Sequence, residues 1–186
     1  VEQGENYYNL FIHKYPLLKD LANANEEEVF RLWQGLGYYN RCRNLLQTAK
    51  QIMQDFDGQF PNKYLTILSL KGIGEYTAAA ISSFAFNLPH AVVDGNVVRV
   101  LSRVFLLEEN FHSSNGKKLF HQLAQQLLVI KKAALYNQAI MDLGATICKP
   151  KNPSCTICPF RAHCGAYQQV RIHDFPIKKV KNPITE

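Results

Sequence analysis

Apolar residues recur three and four positions apart along most of this 186-residue chain, and this spacing constrains the fold more than any other feature. The period places apolar side chains on one face of an α-helix, whereas a half-buried strand alternates at every second residue. Eight segments follow the helical period, among them EEEVFRLW, RNLLQTAKQIMQDF and VVRVLSRVFLL, while only HAVV resembles a strand. Segments rich in Pro, Gly and Asn separate them. The sequence therefore predicts an all-α fold.

The chain is predicted to consist of two helical lobes and a linker. The first lobe covers residues 1–89, and the second covers residues 90–170 and carries four of the five cysteines. Residues 171–186 read as a basic, proline-containing linker towards a domain that is absent. The chain does not begin with Met, so an N-terminal part is expected to have been removed. No stretch approaches the roughly eighteen apolar residues of a membrane span, and no signal peptide opens the chain.

Positive charge is concentrated towards the C-terminus. The formal net charge is +6, and residues 146–186 carry seven Lys or Arg against two Asp or Glu. A basic surface of this kind fits a polyanion, with nucleic acid as the first candidate. An ordinary solvated basic surface is the alternative.

The cysteine-rich segment CKPKNPSCTICPFRAHC offers four candidate metal ligands, Cys148, Cys155, Cys158 and Cys164. Short loops that contain prolines would let their thiolates converge on one centre. Iron–sulfur clusters take four cysteines, often closely spaced and with a proline after one ligand. Zinc sites more often pair two CxxC motifs, and only one is present here. Iron–sulfur, zinc and unligated thiols therefore remain open from the spacing alone, whereas a disulfide framework is not expected without a secretory signal.

The segment LKGIGEYTAAA joins two helical patterns through a turn that contains Lys71, Gly72, Ile73 and Gly74. Glycines leave the backbone N–H groups unobstructed beside the start of a helix, and such groups bind phosphate. A contact of this kind positions DNA without reading its sequence. The alternative is a plain connection between helices in which the glycines serve as caps.

The segment WQGLGYYNRCRNL is a second candidate for nucleic-acid contact. Tyr38 and Tyr39 could stack on bases or insert between them, and Arg41 and Arg43 could bind phosphates. Aromatic side chains that pack under a loop between helices would give the same pattern.

Asp94 stands immediately before an apolar-periodic segment in AVVDGNVVRVLSRVF. Aspartate is a preferred N-cap of helices, so a structural role explains this position, and Asn96 is a further cap candidate. The functional interpretation is a carboxylate beside a reacting sugar. Such a group stabilises the positive charge that develops as a glycosidic bond breaks.

Together these motifs resemble the helix-hairpin-helix DNA glycosylase superfamily, and within it the MutY-type adenine DNA glycosylases. Five segments carry the resemblance in the order and spacing of the family, across nearly the whole chain: LANANEEEVFRLWQGLGYYNRCRNL, LKGIGEYTAAAI, VVDGNVVRVLSRVF, YNQAIMDLGATIC and the cysteine segment. The resemblance implies a helical barrel lobe joined to an iron–sulfur lobe. It also implies that the four cysteines bind a [4Fe-4S] cluster and that Lys71–Gly74 form the DNA-binding hairpin.

The resemblance implies a reaction as well. The endonuclease III branch carries a nucleophilic lysine where Tyr76 stands, and because tyrosine cannot form an imine, this chain resembles a monofunctional glycosylase. Asp94 would stabilise the sugar cation or bond to it transiently, and Tyr76 would lie in the active site and help position that carboxylate. Asn96 would orient the site, and Tyr38 would wedge into the duplex. The implied substrate is double-stranded DNA with adenine opposite 8-oxoguanine or guanine, bound by a monomer in the cytoplasm of a bacterium or the nucleus of a eukaryote.

One family feature is missing. The glutamate that protonates adenine lies in a segment that would precede Val1, so this chain by itself is expected to be inactive or severely impaired. Two alternatives remain. One is an endonuclease III-like bifunctional glycosylase that acts on oxidised pyrimidines. The other is a non-enzymatic helix-hairpin-helix DNA-binding module that zinc stabilises.

Overall fold

The computed structural model of the protein describes residues 2–177, and within that range it contains helices and turns but no strand. The α-helices are α1 (Glu2–Lys14), α2 (Leu18–Ala22), α3 (Glu26–Trp33), α4 (Tyr39–Asp55), α5 (Tyr64–Leu68), α6 (Glu75–Phe86), α7 (Gly95–Phe105), α8 (Ser114–Leu127), α9 (Ala133–Asp142) and α10 (Gly165–Gln168). A π-helical turn, Leu143–Ile147, extends α9 towards the cysteines. The predicted all-α fold is therefore confirmed. No helix in this range is long and apolar enough to cross a bilayer.

The chain forms two compact units, residues 1–78 and 79–186, and the boundary between them falls inside α6. The lobe boundary predicted after residue 89 lies just beyond the end of that helix. Of the predicted linker, residues 171–177 belong to the described part of the second unit, and Phe175 is only 2% exposed. The remainder of the predicted linker, residues 178–186, lies outside the described residues.

The core of the first unit is built mainly by α2, α3 and α4. Val29, Cys42 and Leu46 are buried there, together with other apolar residues at helical spacing. The start of α3 is fixed by Asn25, whose side chain accepts a hydrogen bond from the backbone N–H of Glu27 at 2.8 Å. A side-chain cap of this kind satisfies one of the N–H groups that the first turn leaves unpaired.

The core of the second unit surrounds α7. Val97, Val98 and Leu101 of this helix pack with Phe120 of α8 and are buried. Because α7 is enclosed on more than its apolar face, two of its polar side chains are buried as well, Arg99 at 9% exposure and Arg103 at 3%. A charged side chain at such a depth needs partners that satisfy its hydrogen bonds. These two arginines organise the candidate site.

Candidate functional site

Asp94 is the N-cap of α7, and both of its carboxylate oxygens are engaged. Oδ1 accepts a hydrogen bond from the backbone N–H of Val97 at 2.8 Å, and Oδ2 accepts one from Nδ2 of Asn96 at 2.8 Å. The role of helix N-cap thus explains the hydrogen bond of one oxygen, Oδ1. The second oxygen belongs to a side-chain network that a helix cap does not require.

Arg99 determines the orientation of the Asn96 amide. Its guanidinium NH2 group donates to Asn96 Oδ1 at 2.7 Å, and guanidinium groups can only donate. The carbonyl end of the amide must therefore face Arg99, so the NH2 end faces Asp94. As a result Asp94 accepts from two donors, the N–H of Val97 and the amide of Asn96, with one oxygen for each. A carboxylate has two acceptor oxygens for this, whereas an amide side chain has only one.

The same arginine connects this network to the segment that leads into the cysteines. Arg99 Nε donates to the carbonyl of Cys148 at 2.7 Å, and NH2 donates to the carbonyl of Gly144 at 2.7 Å. A Cβ atom on Gly144 would collide with Asn96, so a glycine is needed here for the backbone after α9 to lie against Asn96. Burial lowers the pKa of Arg99 from its ordinary value, while the neighbouring Cys148 and Asp94 raise it.

The four cysteines line one cavity in the second unit. Burial raises the pKa of the Cys155 thiol, and the other three thiols raise it further. Arg103 opposes this effect and donates from NH1 towards the Sγ atom of Cys148 at 3.4 Å. Within residues 2–177, no three Cys, His, Asp or Glu side chains are arranged to hold a single metal ion.

Arg103 also ties the cysteine loop to the end of the described chain. NH1 donates to the carbonyl of Lys149 at 2.8 Å, and NH2 donates to that of Pro150 at 3.3 Å. Nε donates to the carbonyls of Ile172 at 3.2 Å and Phe175 at 3.3 Å. Because one buried side chain satisfies carbonyls of two separate segments, it holds both against α7.

In the first unit, three side chains of α4 hold the glycine hairpin. Gln51 accepts from the N–H of Lys71 at 3.0 Å, and the hydroxyl of Thr48 donates to the carbonyl of Lys71 at 2.7 Å. Gly72 adopts a left-handed φ of +73°, and a Cβ there would collide with Asn44. These three polar residues of α4 are spaced four and three apart and so share one face. Sequence reasoning missed them, although that spacing was a visible signal.

The hairpin leaves backbone donors available. No described residue accepts a hydrogen bond from the N–H of Gly72 or Gly74, and both glycines are exposed. Directly after them, Tyr76 is the second residue of α6 and is 46% exposed. An anion that approached this turn could accept hydrogen bonds from the exposed backbone N–H groups of Gly72 and Gly74.

The two adjacent tyrosines have different environments. Tyr38 has a left-handed φ of +50° and is 77% exposed, with the guanidinium of Arg41 5.1 Å from its ring centre. Tyr39 instead stacks on Phe30 with ring centres 6.3 Å apart, and Arg43 lies 5.6 Å from that Phe30 ring. Tyr39 is thus partly covered by Phe30 and remains 46% exposed, while Tyr38 is the more exposed of the two tyrosines.

Residues 1–138 match the family described as HhH-GPD superfamily base excision DNA repair protein. The match covers most of the chain, including the hairpin and the capped aspartate, and the protein therefore belongs to this superfamily. Its relatives include the adenine DNA glycosylase of Buchnera aphidicola subsp. Baizongia pistaciae, 40% identical over 96% of this chain and 50% of the relative. That of Homo sapiens is 44% identical over 89% of this chain and 30% of the relative.

The chain spans half or less of the length of these relatives. Their identities over most of the chain confirm the resemblance to MutY-type adenine DNA glycosylases. Among solved structures, a thermostable thymine-DNA glycosylase is similar with a TM-score of 0.81 and 30% identity, covering 89% of this chain and 76% of that one. A non-covalent endonuclease III–DNA complex has a TM-score of 0.75 at 22% identity with the same coverage. These similarities confirm the helix-hairpin-helix glycosylase fold.

Proposed function

We propose that the protein is a base excision repair glycosylase that hydrolyses the N-glycosidic bond of adenine paired with 8-oxoguanine or guanine in duplex DNA. The observation that carries this proposal is the carboxylate of Asp94, whose two oxygens are fixed by Val97 and Asn96. The relatives named adenine DNA glycosylase give the choice of base. An enzyme of this class reaches its target by flipping the base out of the duplex.

Asp94 is proposed to stabilise the sugar cation that forms as adenine leaves. A carboxylate that is already oriented needs little rearrangement when positive charge develops beside it, and such preorganised groups give large rate enhancements. Arg99 acts on Asp94 through Asn96. It orients Asn96, which in turn holds the carboxylate. Asp94 would therefore be catalytic, and Asn96 and Arg99 would be positioning residues.

The cysteine centre is proposed to bind a [4Fe-4S] cluster. An iron–sulfur cluster takes four cysteine thiolates, often closely spaced along the chain. The four cysteines line one cavity, so all of them can contact a single group there. Arg103 supplies positive charge beside Cys148. When bound, the cluster would cross-link the loop that follows α9.

DNA is proposed to bind at both the hairpin and the Tyr38 loop of the first unit. The free N–H groups of Gly72 and Gly74 suit a phosphate, Lys71 adds positive charge, and exposed Tyr38 suits insertion between bases. Such a substrate places the protein with the DNA, in the nucleoid of a bacterium or the nucleus of a eukaryote. Binding by a monomer is part of the proposal.

Two alanine substitutions test the hairpin. Gly74→Ala is expected to leave stability unchanged, because a Cβ there meets nothing within 4 Å, yet to weaken DNA binding about fivefold because the methyl group hinders the phosphate. Gly72→Ala is the matched comparison. It should destabilise the fold by about 1–2 kcal/mol because φ is +73° and Asn44 is in the way. Urea unfolding and fluorescence anisotropy with duplex DNA measure both effects, and wild-type affinity in Gly74→Ala would contradict the phosphate site.

Borohydride trapping tests the proposed reaction against the endonuclease III-like alternative. The protein, in its longest natural form, is incubated with duplex DNA that contains adenine opposite 8-oxoguanine. The expected result is free adenine and no trapped protein–DNA adduct, since the phenol of Tyr76 cannot form an imine. Tyr76→Lys is the matched variant that offers an amine, and it should yield an adduct. Intact adenine, together with a trapped adduct of the wild-type protein on a second duplex that carries an oxidised pyrimidine, would support the bifunctional alternative.

A further inference from the structure

We propose that Trp33 and Tyr7 are positioning residues that hold Tyr38 in the geometry it needs to enter DNA. This inference rests on the proposed function, because it assumes that Tyr38 contacts DNA. The three residues belong to the first unit and meet at the loop between α3 and α4, residues 34–38. This stretch is called the QGLGY loop below.

The backbone of the QGLGY loop is unusual. Gly35, Gly37 and Tyr38 all have left-handed φ angles, at +100°, +71° and +50°. Glycine adopts such angles freely, but tyrosine has a Cβ atom and does so at a cost in free energy. Tyr38 will therefore leave this conformation unless neighbouring groups hold the loop.

Trp33 holds the end of the loop that carries Tyr38. Its indole Nε1–H donates to the carbonyl of Gly37 at 2.8 Å, which fixes the peptide group directly before Tyr38. The indole ring is itself anchored, because it meets Phe11 edge-on with ring centres 5.8 Å apart and packs against the core of the first unit. The hydrogen bond therefore connects a residue that packs against the core to the loop.

Tyr7 holds the other end. Its hydroxyl donates to the carbonyl of Gln34 at 3.0 Å, and it lies so close to Gly35 that a Cβ atom there would collide with it. After the loop, the N–H of Arg41 donates to the carbonyl of Tyr38 at 2.8 Å, and its guanidinium covers one face of the tyrosine ring. Hydrogen bonds at both ends of the loop, and Arg41 directly after it, thus hold a side chain that is 77% exposed.

An exposed aromatic side chain that is already oriented loses little conformational freedom when it inserts between bases. Preorganisation of this kind strengthens the bound state by reducing the cost of ordering. Removing either hydrogen bond should let the loop relax, so that Tyr38 reaches the inserted position less often. The loss should appear in the distortion of the DNA, and any decrease in the stability of the protein should be about 1 kcal/mol, too small to unfold it.

The test uses Trp33→Phe and Tyr7→Phe, which remove a donor and keep an aromatic ring. A duplex with 2-aminopurine beside the mismatched adenine reports unstacking as an increase in fluorescence. With saturating protein, we expect each variant to lower the equilibrium constant for unstacking about fivefold, as the loss of one hydrogen bond implies. Tyr8→Phe, on the same helix and 64% exposed, is the control and should behave as wild type. Thermal unfolding shows whether each variant is folded.

A double-mutant cycle with Tyr38→Ala separates positioning from a general structural effect. If Trp33 acts through Tyr38, then Trp33→Phe will change nothing further in the Tyr38→Ala background. Equal effects of Trp33→Phe in both backgrounds would overturn the inference, as would wild-type unstacking in both Trp33→Phe and Tyr7→Phe. If Tyr38→Ala itself has no effect on unstacking, the proposed role of Tyr38 in DNA binding fails, and the inference fails with it.

Discussion

In the longest natural form of the protein, replacing Asp94 with asparagine is expected to reduce adenine release by about 10³-fold or more while the protein stays folded and bound to DNA. Asparagine caps helices about as well as aspartate, so the start of α7 survives. It carries no charge to stabilise the sugar cation. It also has one acceptor oxygen, whereas the network presents two donors, from Val97 and Asn96. The free energy of unfolding should change by about 1 kcal/mol or less.

Ser113→Ala is the matched control for the loss of capping. Ser113 caps α8 and accepts a hydrogen bond from the N–H of Gly116 at 2.9 Å, in the same unit as Asp94. Its removal should destabilise the protein by about 1 kcal/mol and leave adenine release unchanged. Asp94→Asn should therefore lose activity in single-turnover assays and keep its stability, whereas Ser113→Ala should lose stability in unfolding experiments and keep its activity. An active Asp94→Asn enzyme would reduce this aspartate to a structural cap.

Replacing Arg103 with methionine is expected to have the largest effect on stability. The side chain is 3% exposed and donates to carbonyls of two segments, so its loss removes the donor that holds both segments and leaves the carbonyl of the buried Phe175 without it. We expect a loss of about 3 kcal/mol or more in the free energy of unfolding. The loop of Cys148 is no longer held, so iron content per chain should fall as well.

Two further variants define the specificity of that result. Arg103→Lys keeps the charge but offers fewer donors, so intermediate stability and iron content are expected. Arg31→Met removes an arginine whose side chain is 78% exposed, and it should match the wild type. Urea unfolding and iron analysis of the purified proteins give both quantities. Full iron content and stability in Arg103→Met would contradict the role of Arg103. Zinc without iron in the wild-type protein would contradict the proposed cluster.

Features that depend on local sequence could be predicted before the structure. The helical period gave the all-α fold, the spacing of the four cysteines suggested a shared centre, and Asp94 was recognised both as a cap and as a candidate catalytic group. Arg99 and Arg103 were missed because most of the carbonyls they bind lie about forty-five or more residues away, although Asn96 lies only three residues from Arg99. Two arginines four residues apart in a mainly apolar helix were the available signal.

The roles of neighbouring aromatic residues could not be separated by sequence. Tyr38 and Tyr39 are adjacent and chemically identical, yet Tyr38 has a positive φ and is 77% exposed, whereas Tyr39 stacks on Phe30 and is 46% exposed. That conformation depends in turn on hydrogen bonds from Tyr7 and Trp33, which come from two different helices. A pattern read along the chain does not reveal contacts of this kind.

The central claim is that the protein releases adenine by hydrolysis. The most direct test is a single-turnover assay of its longest natural form on duplex DNA with adenine opposite 8-oxoguanine, with and without alkali. We predict free adenine and abasic sites that become strand breaks only after alkali, with Asp94→Asn showing neither. Intact adenine, or breaks without alkali, would contradict the claim.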